Sequence, residues 1–140
     1  MNILRNDINF GLGQENKIIN NINTYFNDNC VKTDEPYAPF DFISDTSLYE
    51  LKSRRLYYNT YSTTIFPKHK IDTTNNQNKK RILLFSFMDG LYYIEYNKDL
   101  FKTFIINKRR YRTDRLYNGK YIDKEVDYFE IPITNLTKIY

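Results

Sequence analysis

Residues 81–96 constrain the fold more than any other part of this chain. Ile82-Leu83-Leu84-Phe85 is a nearly continuous apolar run. A run of that length without polar alternation predicts a central strand covered on both faces. Residues 91–96 form a second strong strand pattern, and Asp89-Gly90 lies between the two. A two-residue turn there, with glycine supplying a positive φ, predicts a β-hairpin. A strand buried on both faces needs a layer on each side, so the rest of the chain must cover it.

The 140 residues suit one domain, spanning 1–140, with a single core of useful size. Fourteen tyrosines and ten phenylalanines within a 41% hydrophobic composition supply that core. More tyrosines are present than one core readily buries, which leaves room for a homodimer interface. Cys30 is alone, so neither an intrachain disulfide framework nor a thiolate zinc cluster is available. No apolar stretch approaches the ~18 residues of a membrane span. The first seven residues lack the apolar centre of a signal peptide. A cytoplasmic, nuclear or virion setting is expected rather than secretion. The net charge of +4 favours a polyanionic partner.

Ile18, Ile19, Ile22 and Phe26 recur at helical spacing and predict a helix over 14–26, with Gly11 and Gly13 in a turned or flexible entry. Glu15 lies on the same stripe, which is unusual for a carboxylate without a partner. It is either a first-turn acid favoured by the helix dipole or a third acid directed at a site. Residues 40–43 and 48–58 read as strands around a turn at 44–47, the second bent or interrupted near Arg54-Arg55. A helix near 69–79 is expected on topological grounds, to cover the sheet. Phe104-Ile105-Ile106 reads as a third strand of the 81–96 group. Residues 107–127 read as charged and irregular, with a turn at Asn118-Gly119. Residues 128–133 form a last strand, and 135–140 a terminal turn. The expected fold class is α/β.

The chemistry gathers around Asp41 and Tyr49-Glu50-Leu51-Lys52. On a strand, Glu50 and Lys52 point to one side and Leu51 to the other. If 40–43 pairs with 48–52, Asp41 comes near Glu50. Two carboxylates can hold a hard cation, and an ammonium beside them can act on an attacking water. That combination is the minimum for metal-assisted phosphodiester cleavage.

With Pro39-Phe40-Asp41 as one half-motif and Glu50-Leu51-Lys52 as the other, the chain resembles the PD-(D/E)XK nuclease superfamily over roughly residues 10–96. Phe40 intervenes between proline and aspartate, a departure from the nominal first half; the second half matches fully. The resemblance implies a restriction-endonuclease-like mixed β-sheet flanked by helices. Members include restriction enzymes, Holliday junction resolvases, viral exonucleases and repair nucleases, and most use Mg²⁺. It implies Asp41 and Glu50 as ligands of Mg²⁺ or Mn²⁺, with the Leu51 carbonyl as an added ligand. Glu15 would join the metal or orient water near it. Lys52 would position or deprotonate the attacking water, or stabilise charge on the phosphate.

Arg54, Arg55, Lys68, Lys70, Lys108, Arg109, Arg110, Arg112 and Arg115 form a candidate phosphate-contacting set. Tyr111 and Tyr117 are placed to stack on unpaired bases or to pack internally. DNA is the expected partner, and nothing in the residues reads or excludes the 2′-hydroxyl of RNA. A structure-selective endonuclease acting on junctions, nicks or flaps fits a chain with little room for a separate specificity domain. Two other readings compete with it. One is an inactive relative that binds nucleic acid or protein. The other is a structural or regulatory protein of different α/β fold, in which 40–43 and 48–52 would not be neighbours.

Overall fold

The first helix, α1, spans Ile3–Phe26. The fold is that of a computed structural model, which describes residues 3–35, 38, 40–74 and 78–140, without the side chains of 3–14, 111–117 and 121–123. Helix α1 begins well before the expected start, and Gly11 and Gly13 lie within it rather than in an entry turn. Its end has a clear local cause. Asn27 adopts φ 50°, and the Asp28 N–H reaches back to the Asn23 carbonyl. Asparagine tolerates this left-handed conformation, and the bond closes a Schellman-type stop. The Asn23 side chain then clamps Cys30 through both its main-chain groups, at 2.7 and 3.2 Å.

The strands after α1 form two sheets. The larger contains β1 (Val31–Lys32), β2 (Phe42–Ile43), β3 (Ser47–Ser53), β5 (Lys80–Phe87), β6 (Gly90–Glu95) and β9 (Thr137–Lys138), in the order β1-β2-β3-β5-β6-β9. Only β3 and β5 are parallel among these neighbours. The smaller sheet is antiparallel, with β4 (Thr63–Pro67), β8 (Lys120–Pro132) and β7 (Ile105–Tyr117) in that order. Short helices α2 (Lys68–Asp72) and α3 (Lys98–Phe101) complete the α/β architecture.

The 81–96 stretch is buried as its composition requires. Leu83, Leu84 and Phe85 are fully inaccessible. One face of the large sheet packs Tyr49, Ile82, Leu84 and Leu91 against Ile18 and Ile22 of α1. The other packs Leu48, Leu83, Phe85 and Ile94 against Phe66, Phe129 and Ile131 of the small sheet, with Ile71 of α2 and Phe101 of α3.

That second layer corrects three expectations. Of the helix expected near 69–79, the described residues form only the five-residue α2, with 75–77 lying outside them, and the small sheet covers the face that the helix was expected to cover. Phe104-Ile105-Ile106 does not join the 81–96 group: among the described residues β7 pairs with β8 alone, and Ile105 is 67% exposed. Residues 107–127 belong largely to a long β-hairpin, with Asn118 and Gly119 at φ 51° and 77° forming its turn. The 135–140 segment contributes β9 to the large sheet.

The first hairpin differs by one position. Phe87 pairs with Gly90, so Met88 and Asp89 form the loop. Gly90 is needed for a close approach and not for a positive φ: a Cβ there would sit 2.5 Å from the Tyr140 carbonyl oxygen. Among the described residues, no helix is long and apolar enough to cross a membrane.

Candidate active site

Antiparallel pairing sets Phe42 opposite Tyr49 and Ile43 opposite Leu48. Extending that register one residue brings Asp41 opposite Glu50. The Asp41 carboxylate accepts a 2.8 Å hydrogen bond from the Leu51 N–H, so a side chain holds the strand where β2 has ended. Thr33 fixes the same segment from the other side, its N–H donating to the Asp41 carbonyl at 2.9 Å. Residues 40–43 and 48–52 are therefore neighbours. Pro39, the first residue of the half-motif, lies outside the described residues.

Glu50 is buried, with its side chain only 4% exposed. Its Oε2 accepts from Lys70 Nζ at 2.7 Å, and Lys52 Nζ stands 4.0 Å from Oε1. Strand alternation explains the grouping: Glu50 and Lys52 share the face turned toward β4 and α2, which carries Lys70. Burial pushes the Glu50 carboxyl up to about 7; Lys70 opposes the rise and the nearby Asp41 carboxylate adds to it. Burial holds the Lys52 ammonium below the ordinary lysine range, and the adjacent Lys70 charge pushes the same way. A buried acid beside a second acid, with a half-buried amine of lowered pKa close by, is the kind of perturbed set that marks functional sites.

A consequence for stability follows from the sign of the Glu50 shift. A carboxyl at about 7 in the fold against an ordinary 4.5 favours the protonated folded state. Its contribution is fully present below 4.5 and is lost as pH rises through 7. The loss is on the order of 3 kcal/mol. Urea unfolding of wild type and Glu50→Gln at pH 4.5 and pH 8 checks this. The substituted chain is expected to gain about that much relative to wild type at the higher pH.

Glu15 does not complete the set as a third acid. It pairs with Lys32 Nζ at 2.8 Å. Helix α1 packs on the Tyr49 face of the sheet, whereas Glu50 lies on the opposite face. Among the described residues, no group of three or more His, Cys, Asp or Glu side chains is arranged to hold a metal ion. The unusual carboxylate on the apolar stripe thus has its partner on the edge strand β1.

The basic set divides by environment. Arg54 is a structural tie: its guanidinium donates to the Ile65 carbonyl at 2.7 Å and to Thr64 Oγ1 at 3.3 Å, joining β3 to the free edge of β4. Lys70 donates to Glu50 Oε2. Lys68 pairs with Asp72 at 2.8 Å. Arg55 is exposed on the loop after β3. On the long hairpin, Lys108 and Arg110 meet Glu125 at 3.7 and 3.3 Å, and Arg109 stands over the Tyr128 ring at 6.0 Å. Exposed ion pairs of this kind cost little to exchange for phosphate contacts. The side chains of Arg112, Arg115, Tyr111 and Tyr117 lie outside the described residues. The contact of Lys70 with Glu50 is the part of the site that the sequence does not reveal. Its only local signal is Pro67, which begins the short helix and brings position 70 back over β3.

Comparison of the chain with protein-family models, curated proteins and solved structures yields no match.

Proposed function

We propose that this protein is a Mg²⁺-dependent phosphodiesterase of DNA, related in plan to the PD-(D/E)XK nucleases. The observation that carries the reading is the meeting of Asp41 and Glu50 on paired segments, with Lys52 Nζ 4.0 Å from Glu50. The donor set suits the ion. Mg²⁺ commonly takes one or two protein carboxylates, keeps several waters, and gains the rest of its shell from substrate phosphate. Asp41, Glu50 and the Leu51 carbonyl would hold it. When bound, Mg²⁺ supplies Lewis-acid polarisation of the scissile phosphate.

The chain's own groups supply the rest. Burial of Glu50 beside Asp41 creates a pair of carboxylates that is poorly tolerated without a cation. Lys70 meets that need in the absence of metal, and its flexible stem allows the ammonium to withdraw toward substrate phosphate. Lys52 releases its proton more readily than an ordinary lysine. It can take a proton from the attacking water or, when charged, steady the phosphate.

A second reading has an observation of its own. Lys70 Nζ sits 2.7 Å from Glu50, which is also the geometry of a permanently neutralised site in a non-catalytic nucleic-acid-binding relative. A cleavage panel separates the two. Single strand, duplex, nicked duplex, flap and four-way junction are incubated with Mg²⁺ or Mn²⁺, with Asp41→Asn as control. Cleavage of at least one substrate by wild type alone supports the enzyme; binding without cleavage supports the relative.

A further inference from the structure

A cleft of about 800 Å³ opens beside the candidate site. Its lining joins both sheets, with Lys52 and Arg54 from β3 and the residue after it, part of β4, and Arg109, Tyr128 and Glu130 from the long hairpin. Tyr61 stands at the same cleft and is 63% exposed. Three cations thus face one carboxylate, and that carboxylate already accepts a 2.7 Å hydrogen bond from Asn107. The cleft mixes polar and apolar surface, is electropositive and bordered by aromatic rings, and includes Lys52 of the proposed site.

We propose that this cleft holds one unpaired strand of nucleic acid, with Tyr61 and Tyr128 stacking on bases and Arg109 holding the backbone. Basic grooves with interspersed aromatic faces bind single strands because every base presents a π-face and every linkage a negative charge. The size agrees. Clefts of roughly 300–1,000 Å³ enclose drug-sized ligands, which corresponds to a nucleotide or two of one strand and not to a duplex. The Arg109 guanidinium stands over one face of the Tyr128 ring, 6.0 Å from its centre, so the charge adjoins the aromatic surface. The proposal deepens the nuclease reading by naming an unpaired strand as substrate, such as a flap, a gap or a free end.

Fluorescence anisotropy of the full chain in EDTA tests it without cleavage, using labelled single-stranded DNA, single-stranded RNA and duplex DNA of equal length. Single strands are expected to bind at least ~10-fold more tightly than duplex. Tyr61→Ala and Arg109→Ala are each expected to weaken single-strand binding by about 10-fold. Tyr61→Phe, which keeps the ring, is expected to bind like wild type. Equal or tighter binding of duplex overturns the proposal, as does unchanged single-strand affinity in Tyr61→Ala. Equal loss with DNA and RNA agrees with recognition of base and phosphate alone. Failure of the nuclease reading looks different: the strand binds as described, and Mg²⁺ produces no cleavage.

Discussion

Asp41→Asn is expected to lower metal-dependent cleavage by on the order of 10³-fold and to leave the chain folded. The substitution separates charge from structure. The asparagine amide keeps an oxygen that can accept the Leu51 N–H, the 2.8 Å bond that closes the end of β2. Asp41 is exposed, so the neutral amide carries no burial penalty. The expected stability change is therefore about 1 kcal/mol or less. What the substitution removes is one of two anionic ligands. It also removes a neighbour that raises the Glu50 pKa, so Glu50 in this variant should titrate lower than in wild type. Steady-state cleavage with Asp41→Asn, alongside urea unfolding, measures both parts.

Lys52→Met should act on a different quantity. Methionine keeps an unbranched apolar side chain of similar length and loses the ammonium, which stands 4.0 Å from Glu50 and 6.0 Å from the centre of the Phe66 ring. Turnover is expected to fall by about 10²–10⁴-fold, the usual worth of a positioned proton-transfer group. Metal affinity is expected to stay within a few-fold of wild type, because Lys52 contributes no ligand. Turnover at saturating Mn²⁺, compared with the Mn²⁺ concentration at half-maximal rate, separates these effects. Wild-type turnover in Lys52→Met would remove Lys52 from the chemistry.

The part of the site readable in sequence was the part set by local rules. Alternation along Tyr49-Glu50-Leu51-Lys52 and the turn at 44–47 sufficed to bring Asp41 to Glu50. The apolar run at 82–85 declared a central strand because both its faces are covered. Glu15 was ambiguous for a physical reason: its stripe position demanded a partner, but sequence does not reveal which face of the sheet receives the helix. Lys32 on the edge strand met that demand.

The second sheet was hidden for the opposite reason. The described side chains of residues 107–127 are exposed or half-buried, and this stretch carries no in–out alternation in its sequence to betray two strands. Phe104-Ile105-Ile106 carried a strand signal, yet sheet membership is decided by pairing with β8, which lies beyond the hairpin turn. With that sheet unseen, a longer helix is the expected cover for the sheet, and the contact of Lys70 with Glu50 is equally unreadable. Arg54 shows the same dependence. A cation after the E-x-K strand suggests phosphate binding, whereas the free edge of β4 takes its hydrogen bonds.

Calorimetric titration of Mn²⁺ into wild type, Asp41→Asn and Glu50→Gln at pH 8 tests the shared-cation site most directly. One saturable ion per wild-type chain, lost in both variants, is the expected result. Absence of saturable binding in wild type, or equal binding by all three chains, would contradict it.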